Sequence, residues 1–222
     1  MEVDKLAEKK LIYFIDPKKN DIIFDAGCGT GINIGILHSN VLEIIGMDIS
    51  ADIIDRARER MKRENINNAK LMVGNIADTK LSSNRFSKII CLSVLQYLDD
   101  QECIAAIEEF IGISKNNALL ILHVKNFASL NLLTLFIAKK MKNLFTGNVK
   151  MVHYRTHRWY EKKLKILGAE IVDYDSVNIM VVDFIPAFLL NKIRIKETKY
   201  KKDMFLKKFG SDYFIKAKII KV

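Results

Sequence analysis

Phe24-Asp25-Ala26-Gly27-Cys28-Gly29-Thr30-Gly31 is the stretch on which the reading of this chain turns. Three glycines stand at alternate positions, Gly27, Gly29 and Gly31. The apolar run Ile22-Ile23-Phe24 leads into them, and a helix-like segment, Ile32 to Leu37, follows. Glycine lets backbone approach a ligand where a Cβ would collide. Further on, Ile45-Gly46-Met47-Asp48 reads as a second strand that closes on a carboxylate. Strand, glycine turn, helix, strand and acid is the layout of a nucleoside-binding α/β unit.

The chain around this unit has 222 residues, half of them apolar and 28% charged. That length is read as one domain with room for a sizeable core. The N-terminus lacks a basic segment followed by an apolar run, so no signal peptide is expected. The apolar stretches Ala118 to Ala138 and Val177 to Leu190 are interrupted by polar residues, and neither reads as a membrane span. Cys28, Cys91 and Cys103 are an odd count without metal-ligand spacing, which fits reduced thiols in a cytoplasmic protein and no metal site. Cys28 reads as a small residue in a tight turn. The net charge is +10, concentrated in Lys139 to Lys163 and Lys192 to Lys221. Such zones suit an anionic substrate, a membrane surface or nucleic acid, or are simply solvated lysine faces.

Along the chain, Leu6 to Phe14 reads as a helix stopped by Asp16-Pro17. Strands are expected at Asp21 to Ala26, Glu43 to Asp48, Lys70 to Gly74, Lys88 to Ser93 and Ala118 to Val124. Helices are expected at Thr30 to Ser39, from Ser50 onward, and at Asp100 to Ile113 with Ile104, Ile107 and Ile111 inward. The run Ile89-Ile90-Cys91-Leu92 is apolar on both faces, as in a central parallel strand. This alternation argues a parallel sheet with right-handed crossovers. Beyond it, Ser129 to Leu144 reads as an amphipathic helix and Tyr154 to Leu167 as another. Ala169 to Tyr174 reads as a strand, Pro186 to Phe209 as a basic helical insertion, and Asp212 to Lys221 as an edge or antiparallel strand.

The spacing Gly-x-Gly-x-Gly lacks the third glycine of the dinucleotide fingerprint, because position 32 is isoleucine. No phosphate-loop motif is present either. Both observations weigh against those cofactors, and the chain resembles the class I S-adenosylmethionine-dependent methyltransferases, in their small-molecule branch. The resemblance is carried by Phe24 to Gly31, Gly46-Met47-Asp48-Ile49-Ser50, Gly74-Asn75-Ile76 and Ile90-Cys91-Leu92-Ser93-Val94-Leu95-Gln96-Tyr97-Leu98, four segments in order. It implies a Rossmann-like fold: a seven-stranded, mostly parallel sheet with an antiparallel last strand and helices on both faces. It also implies S-adenosylmethionine as cofactor. A single methyltransferase domain over residues 1–222 would carry a substrate-side insertion at about 126–158 and a basic insertion at about 186–210.

The same resemblance implies the cofactor-binding residues. Gly27, Cys28, Gly29 and Gly31 would lay backbone against the amino-acid and ribose portions, and Asp25 would stand beside the cationic methionine moiety. Asp48 would accept from both ribose hydroxyls, followed by Ile49. Asn75, where many members carry aspartate, would accept from the adenine amino group, and Ile76 would pack on the ring. Ser93 and Val94 would border the methionine portion. In this chemistry the protein chiefly aligns nucleophile and methyl group. A base for an oxygen or nitrogen acceptor is sought among His123, His153 and Tyr97, with Tyr154 and His157 close to His153. No Asn-Pro-Pro-Tyr or Asp-Pro-Pro-Tyr run and no Pro-Cys pair occurs, which speaks against two kinds of nucleic-acid base methylation. The expected reaction is therefore methyl transfer to a small molecule, at oxygen. The alternatives are a lipid, quinone or glycan intermediate at the membrane surface, RNA, and a non-catalytic S-adenosylmethionine-binding partner subunit.

Overall fold

The structure, a computed structural model, describes residues 12–126, 152–153, 155–177 and 212–221. Seven strands form one sheet: β1 (Ile22–Ala26), β2 (Glu43–Asp48), β3 (Ala69–Val73), β4 (Phe86–Leu92), β5 (Ser114–Lys125), β6 (Ala169–Val177) and β7 (Asp212–Ile219). Their order is β3-β2-β1-β4-β5-β7-β6. The first five run parallel, and β7 is antiparallel to both β5 and β6. The strand order reverses between β1 and β4, which in an open α/β sheet opens a crevice beyond the strands' carboxyl ends.

Period-two alternation sorts the strand side chains onto two faces. Phe24, Ile89, Leu120 and Leu122 go to one face, where Phe110 and Tyr160 pack on them. Ile23, Ile90 and Ile121 go to the other, under Ile34, Leu37, Ile54 and Met61. Each such buried side chain contributes about 1.5–3 kcal/mol. The helices are α1 (Ile32–Leu37), α2 (Ala51–Arg63), α3 (Asp100–Ile113) and α4 (His157–Ile166). Ser50 caps α2 by accepting from the Ile53 N–H, with Asp52 in its first turn and Arg60, Lys62 and Arg63 in its last, as the helix dipole favours. Asp99 and Glu102 form a capping box on α3.

Several boundaries differ from the sequence-based expectation. The first helix begins at Ile32 and not Thr30, because Gly31 stands at a left-handed φ of 75°, and it ends in a 3-10 turn, His38–Asn40. The fourth strand starts earlier, at Phe86, and the fifth at Ser114. In α3 the buried stripe is Cys103, Ala106, Ile107, Phe110 and Ile113, so Ile104 and Ile111 lie at its flank. The helix expected from Tyr154 begins at His157, where the Thr156 hydroxyl caps it by accepting from the Trp159 N–H. The last strand is antiparallel but interior, since β6 pairs along its outer side. Helical residues 12–15 belong to the expected N-terminal helix. The expected helices Ser129 to Leu144 and Pro186 to Phe209 lie outside the described residues.

Candidate active site

The glycine turn follows β1 directly. Gly27 and Cys28 both donate to the Met47 carbonyl, at 2.8 and 3.0 Å, which pins the turn to the end of β2. Gly27 and Gly29 hold φ of 74° and 53°. They differ in what surrounds them. A Cβ on Gly27 would lie 2.3 Å from Val94 Cγ2, so this glycine lets the loop after β4 close down on the turn. A Cβ on Gly29 would meet nothing within 4 Å, so its bare backbone faces open space. Cys28 is buried, and burial pushes its thiol far above the usual range, which keeps it protonated and suits a packing role.

Beneath the turn, Asp25 is fully buried and neither of its carboxylate oxygens has a hydrogen-bond partner among the described residues. Burial raises its carboxyl to about 7; the nearby Asn33 side chain opposes the shift and the Asp48 charge adds to it. A buried carboxylate in this condition is costly. A cation placed at the turn would supply the missing partner.

Asp48, at the end of β2, already works within the protein. Its Oδ2 accepts from the Gly29 N–H and its Oδ1 from the Ser50 N–H, each at 3.1 Å. A carboxylate offers about four acceptor sites, so two remain for ribose hydroxyls. Ile49 beside it is 77% exposed, an apolar side chain standing in solvent where a flat ring could cover it. The Asn75 side-chain oxygen accepts from the Ala77 N–H at 2.9 Å, closing a local turn. Ile76 is buried in the core with Phe24 and Met47, so its side chain serves packing.

At the ends of β4 and β5, Ser93 and His123 are joined. Ser93 Oγ lies 2.6 Å from His123 Nδ1, and the Ser93 N–H donates to the His123 carbonyl at 3.0 Å. His123 Nε2 lies 3.1 Å from Asp212 Oδ1. Tyr97 and His153 sit one turn further on. Tyr97 is half exposed on the turn after β4, and the His153 N–H donates to the Gln96 carbonyl at 2.8 Å. Arg155 clamps the same turn. It donates to the carbonyls of Leu95 and Leu98 at 3.0 and 2.7 Å, and to Asp100 at 2.7 Å.

Sequence reading singled out Ser93 and His123 separately and missed Asp212, Lys125 and Arg155. Asp212 opens a strand whose register against β5 brings it opposite Lys125, and no local pattern encodes that pairing. Arg155 carried a weak signal, an arginine directly ahead of the helix-capping Thr156. Among the described residues no cluster of side chains suits a metal ion.

The residues present fit S-adenosylmethionine on two independent observations: a fully buried carboxylate whose oxygens have no hydrogen-bond partner among the described residues, and a glycine whose missing Cβ leaves backbone open. Comparison with known proteins agrees. The family described as "Methyltransferase domain" matches residues 23–117. A protein of Schizosaccharomyces pombe called an uncharacterized methyltransferase is 33% identical over 106 residues, covering 44% of this chain and 37% of its own length. Magnesium-protoporphyrin O-methyltransferase of Rhodobacter capsulatus is 32% identical over 75 residues, covering 34% of this chain and 33% of its own length. The chain thus spans about a third of these relatives. Among solved structures, geranyl diphosphate C-methyltransferase of Streptomyces coelicolor A3(2), in complex with Mg2+, geranyl diphosphate and S-adenosyl-L-homocysteine, superimposes with a TM-score of 0.68 at 14% identity, covering 99% of this chain and 80% of that one. The sheet order and the glycine turn are those of a Rossmann-like methyltransferase fold, and residues 23–117 match the methyltransferase-domain family.

Proposed function

We propose that the protein transfers a methyl group from S-adenosylmethionine to a small-molecule acceptor, at oxygen. The observation that carries this reading is Asp25, a buried carboxylate without a partner, set under an open glycine turn. When bound, the cofactor supplies a methyl group made electrophilic by its sulfonium. The chain's residues bind and orient. Gly27, Gly29 and Gly31 would present backbone to the cofactor, Asp25 would neutralise its positive charge, and Asp48 would hold the ribose. Val94 and Ser93 would border the reacting end. Asn75 and Ile76 would lie beside the adenine through their backbone.

Support for an oxygen acceptor comes from the imidazole and hydroxyl paired at the ends of β4 and β5, since a hydroxyl must lose a proton as it gains a methyl group. A relative that is an O-methyltransferase fits the same direction. His153 and Tyr97 remain candidates to line the acceptor side.

The test is a calorimetric titration with S-adenosylmethionine. Wild type is expected to bind, and Gly29→Ala to lose binding while staying folded, because its Cβ has room in the protein but would occupy the ligand's place. Absence of binding by wild type, or equal binding by the variant, overturns the reading. Salt-sensitive retention on RNA would redirect the acceptor to nucleic acid. Retention on anionic vesicles would redirect it to lipid.

A further inference from the structure

Ser93, His123 and Asp212 come from three different strands and form one hydrogen-bonded line. Its direction is fixed from the far end. Burial alone would raise the Asp212 carboxyl, but hydrogen bonds from His123 and Lys125 outweigh it and hold the group well below the usual carboxylate range. An ionised carboxylate only accepts hydrogen bonds. His123 Nε2 therefore carries the ring proton and donates it to Asp212 Oδ1, the oxygen that Lys125 Nζ also contacts. With Nε2 donating, Nδ1 of a singly protonated ring accepts from the Ser93 hydroxyl, which lies 2.6 Å away.

The surroundings hold this line in place. Phe214 lies against the imidazole with ring centroids 4.4 Å apart. The side chains of His123 and Asp212 are only 12% and 11% exposed. Ser93 stands at φ 62°, a left-handed conformation that residues with a side chain rarely adopt. Strain of this kind persists where the surrounding structure over-determines it, and it gathers at functional sites. Here it turns the serine back from the strand end onto His123.

We propose that Ser93, His123 and Asp212 form the proton exit for methyl transfer, with the Ser93 hydroxyl as the group that touches the acceptor. The proposal rests on the methyltransferase reading above. Both imidazole nitrogens are engaged inside the protein, so His123 does not reach an acceptor itself, whereas the Ser93 oxygen keeps a lone pair free. The acceptor oxygen gains a carbon–oxygen bond as the methyl–sulfur bond breaks, and sulfur keeps that electron pair. The acceptor's O–H bond breaks toward Ser93 Oγ, and Ser93's own O–H bond breaks toward His123 Nδ1. The resulting imidazolium is held by the Asp212 carboxylate and returns its proton to water. In acyl-transfer triads the serine faces Nε2 and the aspartate Nδ1. His123 is turned the other way, and its serine relays a proton. Ser93 is thus a catalytic residue, and Asp212 a positioning residue that fixes the tautomer.

The test needs no acceptor. The chain has four histidines, so long-range proton–nitrogen NMR on the 15N-labelled protein, with His123→Gln for assignment, reads the His123 ring directly. A protonated Nε2 with a slowly exchanging proton is expected, together with an unprotonated Nδ1. Asp212→Ala should abolish the slow exchange and mix the tautomers. Ser93→Ala should move the Nδ1 resonance and leave Nε2 protonated, which keeps the test open should Asp212→Ala fail to fold. A proton on Nδ1 in wild type, or an Nδ1 resonance indifferent to Ser93→Ala, overturns the relay. Titration of wild type with S-adenosylmethionine, run alongside, separates failure of the relay from failure of the methyltransferase reading.

Discussion

Asp25 is the residue at which stability and ligand binding oppose each other. An exposed aspartate ionises near 3.8, whereas burial raises this one to about 7. Between those values the folded protein holds a proton that the unfolded chain has released. Its stabilising contribution is therefore greatest below about pH 4, declines as pH rises, and is gone above about 7. Asp25→Asn needs no proton. Relative to wild type without ligand it should be equally stable near pH 4 and more stable at pH 8, by about 1.4 kcal/mol for each tenfold change in proton affinity that folding imposes. Urea denaturation at the two pH values measures this, and a gap independent of pH would contradict it. The same carboxylate should make cofactor binding expel a proton, because a cation beside it favours the ionised form. Calorimetry near pH 6 in buffers of different ionisation heat should show release of up to one proton in wild type and none in Asp25→Asn. An absence of release in wild type would place the cation elsewhere.

At the scale of elements, the glycine turn was legible because its requirements are local. Alternate glycines after an apolar run give positive φ and close approach, and the structure places them between β1 and α1. Asp48 was legible as an acid at a strand end, but its two backbone hydrogen bonds were not, since they depend on how the turn folds over β2. The pairing of His123 with Asp212 was hidden for a stronger reason. It spans 89 positions and exists only through the register of β5 against β7. The turn also separates two uses of glycine by experiment. At Gly27 an added methyl group would press on Val94 Cγ2 at 2.3 Å and strain φ as well, so Gly27→Ala should destabilise by about 2–4 kcal/mol. At Gly29 only the conformational cost applies, about 1–2 kcal/mol. Thermal or urea unfolding of the two variants ranks them, and a Gly29→Ala at least as destabilised as Gly27→Ala would reverse this account.

At the scale of the molecule, the rim of the sheet is assembled from segments far apart in the chain. The turn after β4 is tied to residues 153 and 155, which lie just ahead of α4, through the His153 N–H to the Gln96 carbonyl and through Arg155. Arg155 is 4% exposed and stacks on Trp159, with its guanidinium carbon 4.9 Å from the ring centroid. Its partner Asp100 is largely exposed, so the ion pair itself adds little. The weight falls on the two carbonyls of Leu95 and Leu98, which would lose a charged donor in a site closed to water. Arg155→Ala should therefore cost about 2–4 kcal/mol, whereas Asp100→Asn should cost under about 1. The turn carries Val94, which packs over Gly27, and adjoins Ser93. Loosening it should weaken S-adenosylmethionine binding along with stability, although Arg155 has no assigned contact with the ligand. Denaturation and cofactor titration on Arg155→Ala, Arg155→Lys and Asp100→Asn decide the matter. Should Arg155→Ala lose stability yet bind as wild type does, the turn after β4 is not part of the cofactor's enclosure, and the site is confined to the ends of β1, β2 and β3.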